Sequence, residues 1–182
     1  MEIRELKQED MMEAMKLKAL CWPEELAALS NNKLDINEEY KFWDDWMMKA
    51  DKWNDVRVLV GAFKKEKMLG VAFGSFIESK DAPEEGMELN GLWVYPKQRG
   101  RGISLILMQK IAEVFLSQSC GRMVVYNFHN APSNKFYRHL GFSVFNTEYQ
   151  MEGKLPVDIF SIDLKELNET ICEKLRNYNI NQ

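Results

Sequence analysis

The run Leu92-Trp93-Val94-Tyr95-Pro96-Lys97-Gln98-Arg99-Gly100-Arg101-Gly102-Ile103-Ser104 constrains the fold more than any other part of this chain. A β-favouring apolar stretch stops at a proline, and two glycines interleaved with arginines follow. Next comes an apolar segment long enough for a helix. Strand, tight loop and helix N-terminus, in that order, build an anion cradle. Successive backbone N–H groups can point into one concavity, and the helix dipole adds partial positive charge there. Glycine lets the main chain approach a phosphate closely, and Arg99 and Arg101 can supply charge-assisted hydrogen bonds. The expected occupant is a phosphorylated ligand.

Composition narrows the partners. A chain of 182 residues with 46% hydrophobic content predicts one globular domain over residues 1–182, large enough to bury a full core. The formal net charge of −4 argues against a nucleic-acid partner. No apolar run approaches the ~20 residues that a membrane helix needs. The first residues, Met-Glu-Ile-Arg-Glu-Leu-Lys, carry charge where a signal peptide has its apolar centre, so the expected location is cytoplasmic. Cys21, Cys120 and Cys172 lack metal-ligand spacing and read as reduced thiols, and His129 and His139 are too few to suggest a metal site.

The rest of the chain reads as a mixed α+β domain. Residues 2–6 alternate like a strand, and a helix is expected over residues 8–20, ended by Trp22-Pro23. Residues 38–50 place Tyr40, Phe42, Trp43, Trp46 and Met47 at helical spacing, a stripe that suits core packing or the wall of a pocket. Residues 56–63 and 68–77 form a hairpin about a charged turn, and residues 81–86 read as a loop. A strand over 87–95 feeds the cradle, and Asn90-Gly91 within it suits either a two-residue hairpin or a β-bulge. Residues 102–119 predict a buried helix with Gly121 beyond its C-terminus, followed by a strand over 122–126 and a short helix over 131–139. Strands over 142–149 and 157–163 and a polar helix over 164–178 complete the chain.

Two segments resemble a known family. Residues 98–104 are similar to the acetyl-CoA pyrophosphate loop of the GNAT family of N-acetyltransferases. Arg99 takes the first position of that pattern, Gly102 the central glycine, and Ser104 stands where the family has glycine or alanine. One helix and one strand later, Asn130-Ala131-Pro132-Ser133-Asn134-Lys135-Phe136-Tyr137-Arg138-His139-Leu140-Gly141-Phe142 resembles the family's Asn-x-x-Ala-x-x-x-Tyr-x-x-x-Gly-Phe segment, with Ser133 in place of alanine.

The resemblance implies a single-domain GNAT-like fold: a twisted, mostly antiparallel sheet of about seven strands, a splayed middle pair, and helices on both faces. It assigns Gly91 to a bulge and Leu92, Trp93 and Val94 to the pantetheine arm. The pyrophosphate falls to Arg99, Gly100, Arg101, Gly102, Ile103 and Ser104, and Asn130, Ser133, Phe136 and Tyr137 complete the cofactor slot.

The implied reaction is acetyl transfer from acetyl-CoA to a primary amine of a small molecule or peptide, with no metal. An alkylammonium must lose a proton before it attacks, and the departing thiolate must gain one. By resemblance Tyr137 is the general acid, Glu88 the first candidate base, and the Val94 N–H the oxyanion donor. The early helices, with the aromatic region 22–53, are expected to shape the acceptor pocket. A homodimer stays open as the assembly. The alternative reading is an acyl-CoA sensor of the same fold without turnover.

Overall fold

A computed structural model describes residues 1–25, 34–77 and 86–180, with side chains through residue 177. The chain runs β1 (Glu2–Glu5), α1 (Met11–Glu25), α2 (Ile36–Met48), β2 (Val58–Lys64), β3 (Lys67–Phe76), β4 (Gly86–Val94), α3 (Ile103–Ser117) and β5 (Arg122–Phe128). It continues α4 (Asn134–His139), β6 (Ser143–Gln150), β7 (Leu155–Asp163) and α5 (Leu164–Ile180). The loop expected at 81–86 lies, apart from Gly86, outside the described residues.

Helix starts follow local chemistry. Asp35 accepts from the backbone N–H groups of Asn37 and Glu38 ahead of α2, and Asp163 does the same for Lys165 and Glu166 ahead of α5. Each carboxylate satisfies donors that the first helical turn leaves without an internal partner.

The seven strands form one sheet in the order β1-β2-β3-β4-β5-β7-β6. All pairs are antiparallel except β4 with β5. One face packs on α3 and α5 through Leu107, Ile111, Phe115, Leu167 and Ile171. The other packs on α1 and α2 through Met15, Leu17, Trp43 and Phe73.

The middle of the sheet is built to open. Phe73 pairs with Gly91 and Gly74 with Leu89, which leaves Asn90 as an extra residue in β4. The bulge reverses the strand's phase. Met87 and Leu89 before it, and Leu92 and Val94 after it, all join the α3 core, whereas Trp93 and Tyr95 turn to the opposite core. Gly91 is required there by space, because a Cβ would fall 2.3 Å from the Trp93 indole folded over it. Parallel pairing of β4 with β5 covers only Gly86 to Glu88, while β5 stays paired to β7 as far as Phe128. Beyond Glu88 the two middle strands therefore separate.

Three local expectations are corrected. Helix α1 does not end at Trp22-Pro23 but runs to Glu25. Proline in a final turn forfeits one backbone bond, and Cys21, buried in the second core, and Trp22, edge-on to Phe128 at 5.9 Å, hold that turn against the sheet. Helix α3 ends at Ser117, with Ser119 (φ 65°) as the left-handed residue in place of Gly121. The Ser119 N–H bonds the Leu116 carbonyl and the Cys120 N–H the Phe115 carbonyl, the Schellman arrangement. The short helix expected over 131–139 begins only at Asn134. Asn134 donates to the carbonyls of Phe128 and His129 and accepts from Asn127, tying the end of β5 to α4.

Candidate active site

A crevice follows from the splay. Its first half is a cavity of about 320 Å³ between the end of β4, the loop before α3, and the segment leading into α4. Of the residues assigned to the cofactor, Leu92, Trp93, Val94, Arg99, Gly100, Ile103, Ser104, Ser133, Phe136 and Tyr137 line it. Arg101, Gly102 and Asn130 do not; Arg101 and Asn130 are exposed at the surface. Gly102 acts through its backbone, as the N-cap of α3 at φ 76°, and Gly100 has φ 73°. A side chain is strained in this left-handed region, which gives the Gly-Arg-Gly alternation its physical reason.

The strand edge is available. The Tyr95 N–H bonds the Leu69 carbonyl on β3. Antiparallel alternation then turns the N–H groups of Val94 and Leu92 away from β3, toward the splay. Arg99 sits over the strand end. Its Nε donates to the Val94 carbonyl at 3.2 Å, and its guanidinium pairs with Glu24 at 2.5 Å and reaches the Cys21 sulfur at 3.4 Å. Burial pushes the Cys21 thiol up, away from the thiolate form.

The second half of the crevice is a cavity of about 310 Å³ between β4 and β5, where Glu88, Asn90, Tyr126, Phe128, Lys18 and Trp22 contribute walls. Lys18 is buried, pairs with Glu39 at 2.5 Å, and lies 5.3–5.5 Å from the ring centres of Trp22, Trp43 and Trp93. Two buried polar atoms at this cavity have no partner among the described residues, the Trp22 Nε1 donor and the Asn90 Oδ1 acceptor. The aromatic stripe of α2 is divided. Trp43 is core, whereas Phe42 and Trp46, with Trp53, line a separate cavity of about 540 Å³ that shares no residue with the crevice.

The two halves meet at Glu25, Leu92, Trp93, Ser133 and Tyr137. Tyr137 is 8% exposed and fixed by ring contacts with Phe136, Phe142 and Phe160 at 5.5–5.8 Å. Burial, and second the charge of Glu25, hold its hydroxyl well above the ordinary tyrosine range. At neutral pH it is protonated. Glu88 lines the second half. Cys21, Glu24 and Glu25 at the end of α1 were not foreseen, because the expected helix stopped before them.

Similarity to known proteins agrees with this geometry. The family described as Acetyltransferase (GNAT) family matches residues 15–142, more than half of the chain. The chain belongs to the GNAT acetyltransferase family. A PaiA N-acetyltransferase from Thermoplasma acidophilum, solved with coenzyme A, superposes with a TM-score of 0.68 at 19% identity, covering 89% of this chain and 98% of that one. A ribosomal-protein-alanine N-acetyltransferase from Brucella melitensis superposes at 0.65 with 17% identity, covering 90% and 99%. Among curated proteins, a mycothiol acetyltransferase from Corynebacterium jeikeium is 33% identical over 79 residues. That match covers 43% of this chain, which spans only 23% of that relative's length.

These likenesses establish the GNAT fold, with its seven-stranded mixed sheet. No helix among the described residues is long and apolar enough to cross a membrane. Among them, no three His, Cys, Asp or Glu side chains converge to hold a metal.

Proposed function

We propose that this family member binds acetyl-CoA and transfers its acetyl group directly to a primary amine. The observation that carries this reading is the position of Tyr137, a protonated hydroxyl where the cofactor and acceptor halves of the crevice meet. The pyrophosphate lies on the loop around Gly100 and Gly102 and the start of α3, with Arg99 above it. The pantetheine arm pairs with the open edge of β4 as an added strand would, and the acetyl oxygen meets the Val94 N–H. That Thermoplasma protein was solved with coenzyme A, which supports the assignment of the first cavity.

The amine enters from the acceptor half, where Glu88 draws in its ammonium. Nitrogen attacks the acetyl carbon, the C–S bond breaks, and Tyr137 protonates the leaving sulfur. The acceptor is a small-molecule or peptide amine. The relatives point to no single class, since one acts on ribosomal-protein alanine and another is named for mycothiol.

Calorimetry with acetyl-CoA, followed by an amine-library screen for released CoA thiol, tests the proposal. Binding together with amine-dependent thiol release is the expected result. Absence of binding overturns the proposal, and binding without turnover on any amine replaces it with the sensor reading.

A further inference from the structure

Three carboxylates line the crevice, and they hold unequal places. Glu88 lines only the acceptor half and Glu24, paired with Arg99, only the cofactor half, whereas Glu25, the last residue of α1, lines both. Of the five residues common to the two halves, Glu25 and Tyr137 are the ones whose side chains titrate. In a direct transfer the new C–N bond forms while the C–S bond still exists, so the acetyl carbon must lie where the halves meet. A proton acceptor for nitrogen and a proton donor for sulfur are both needed at that point.

We infer that Glu25 is the catalytic base of the proposed transfer, held in place by Ser133 and Asn127. The inference rests on the proposed function. The Ser133 hydroxyl donates to Glu25 Oε2 at 2.6 Å, and Asn127 Nδ2 donates to the Ser133 oxygen at 2.7 Å. The chain thus fixes a carboxylate from α1 against the segment leading into α4, 108 residues away. Alanine, which the related pattern carries at the position of Ser133, could not make this bond. The departure at Ser133 and the carboxylate at the end of α1 are two parts of one device.

The surrounding charges fit the role. In the cofactor half Glu25 shares its walls with Cys21 and with Glu24 and Arg99, which pair with each other. In the acceptor half it shares them with Glu88 and with Lys18, whose charge Glu39 matches. Tyr137 faces both halves, and the Glu25 charge helps to keep it protonated. An alkylammonium entering this space meets a carboxylate whose second oxygen is free of the Ser133 bond.

The protons balance. Glu25 takes one from the ammonium, directly or through a water, and the freed lone pair forms the C–N bond. Collapse of the tetrahedral intermediate breaks the C–S bond, and Tyr137 gives its proton to the thiolate. The Glu25 carboxyl restores the proton to the phenolate, and the second proton lost by nitrogen leaves through Glu25 to solvent. The products are the amide, CoA thiol and one proton.

The test compares Glu25→Gln, Glu88→Gln, Ser133→Ala and Ser133→Thr, using the best amine from the screen. Readouts are kcat and kcat/KM, acetyl-CoA binding by calorimetry, and thermal melting. Expected for Glu25→Gln is a loss of at least about 100-fold in kcat, with acetyl-CoA affinity within about threefold and the melting temperature little changed. Glu88→Gln keeps most of kcat and acts chiefly on the acceptor KM. Ser133→Ala lowers kcat by about tenfold with the acceptor KM little changed, and Ser133→Thr restores kcat.

A Glu25→Gln enzyme that keeps nearly full kcat overturns the inference. So does a Glu88→Gln enzyme that is the one to lose kcat, or a Glu25→Gln protein that no longer binds acetyl-CoA. Failure of the wild-type protein to bind acetyl-CoA is a different result, since it removes the proposed function itself.

Discussion

The two halves of the crevice are specified in different ways. The floor of the cofactor half is contiguous chain, the end of β4, a loop with two left-handed glycines and the first turn of α3, closed by the end of α1 and the segment leading into α4. Its chemistry belongs largely to the backbone, so the sequence needs only to permit the conformation. The acceptor half is assembled from Lys18 and Trp22 on α1, Glu88 and Asn90 on β4, and Tyr126 and Phe128 on β5. Its chemistry belongs to side chains that meet only after the sheet has formed. A backbone cradle suits one cofactor, whereas a wall of scattered side chains can change residue by residue with the acceptor.

The junction between the halves should be the most sensitive point. Tyr137→Phe removes the hydroxyl and keeps the ring contacts with Phe142 and Phe160. The expected loss in kcat is about 100-fold to 10,000-fold, with little change in acetyl-CoA affinity measured by calorimetry. A variant with wild-type turnover would show that Tyr137 only packs in the crevice.

Next in size is the cradle. Gly102→Val forces a β-branched side chain to φ 76° and should cost about 1–3 kcal/mol in a conformation the cofactor requires. Acetyl-CoA binding should weaken by tenfold or more, with the acceptor KM little affected at saturating cofactor. An equal rise in acceptor KM would mean that the halves do not separate as drawn.

The acceptor wall should show the mirror pattern with a smaller effect. Trp22→Phe keeps an aromatic ring beside Lys18 and Phe128 and removes an Nε1–H that has no partner among the described residues. If the acceptor satisfies that donor, its KM rises by roughly fivefold to tenfold, a single neutral hydrogen bond, and the acetyl-CoA Kd stays constant. A shift in the acetyl-CoA Kd instead would place the indole N–H in the cofactor half.

This division also decides what could be read from the sequence. The glycine loop after β4 was legible because a short Gly-x-Gly turn has few backbone solutions, whereas the bulge and the splay came from the family resemblance, since Asn90-Gly91 by itself suits a hairpin equally well. Glu24 and Glu25 were not legible, because Pro23 argued locally for a helix end, and the packing of Cys21 and Trp22 on the sheet overrides it. The Ser133–Glu25 bond joins residues 108 positions apart, beyond any local pattern. Asn134, buried at the start of α4, anchors the end of β5 through the carbonyls of Phe128 and His129, a role that no local pattern distinguishes from that of the exposed Asn130 four residues earlier. The α2 stripe was ambiguous by nature. Helical spacing identifies an apolar face without saying whether core or cavity covers it.

The smallest expected effect concerns how the halves are held together. Tyr95, at the end of the cradle strand, donates to Glu13 on α1 at 2.6 Å. Burial first, and Glu13 second, raise its pKa from 10 to about 12. In the unfolded chain the phenol ionises near pH 10, so the link is fully stabilising below that pH and is lost as pH rises toward 12. Tyr137 titrates in the same direction, and the difference between wild type and Tyr95→Phe isolates Tyr95. The melting temperature of the wild type should fall more steeply than that of Tyr95→Phe between pH 10 and 11.5, and the two curves should run parallel below pH 9. Parallel curves throughout would mean that the hydrogen bond does not couple the cradle strand to α1, leaving the Arg99–Glu24 pair to join them.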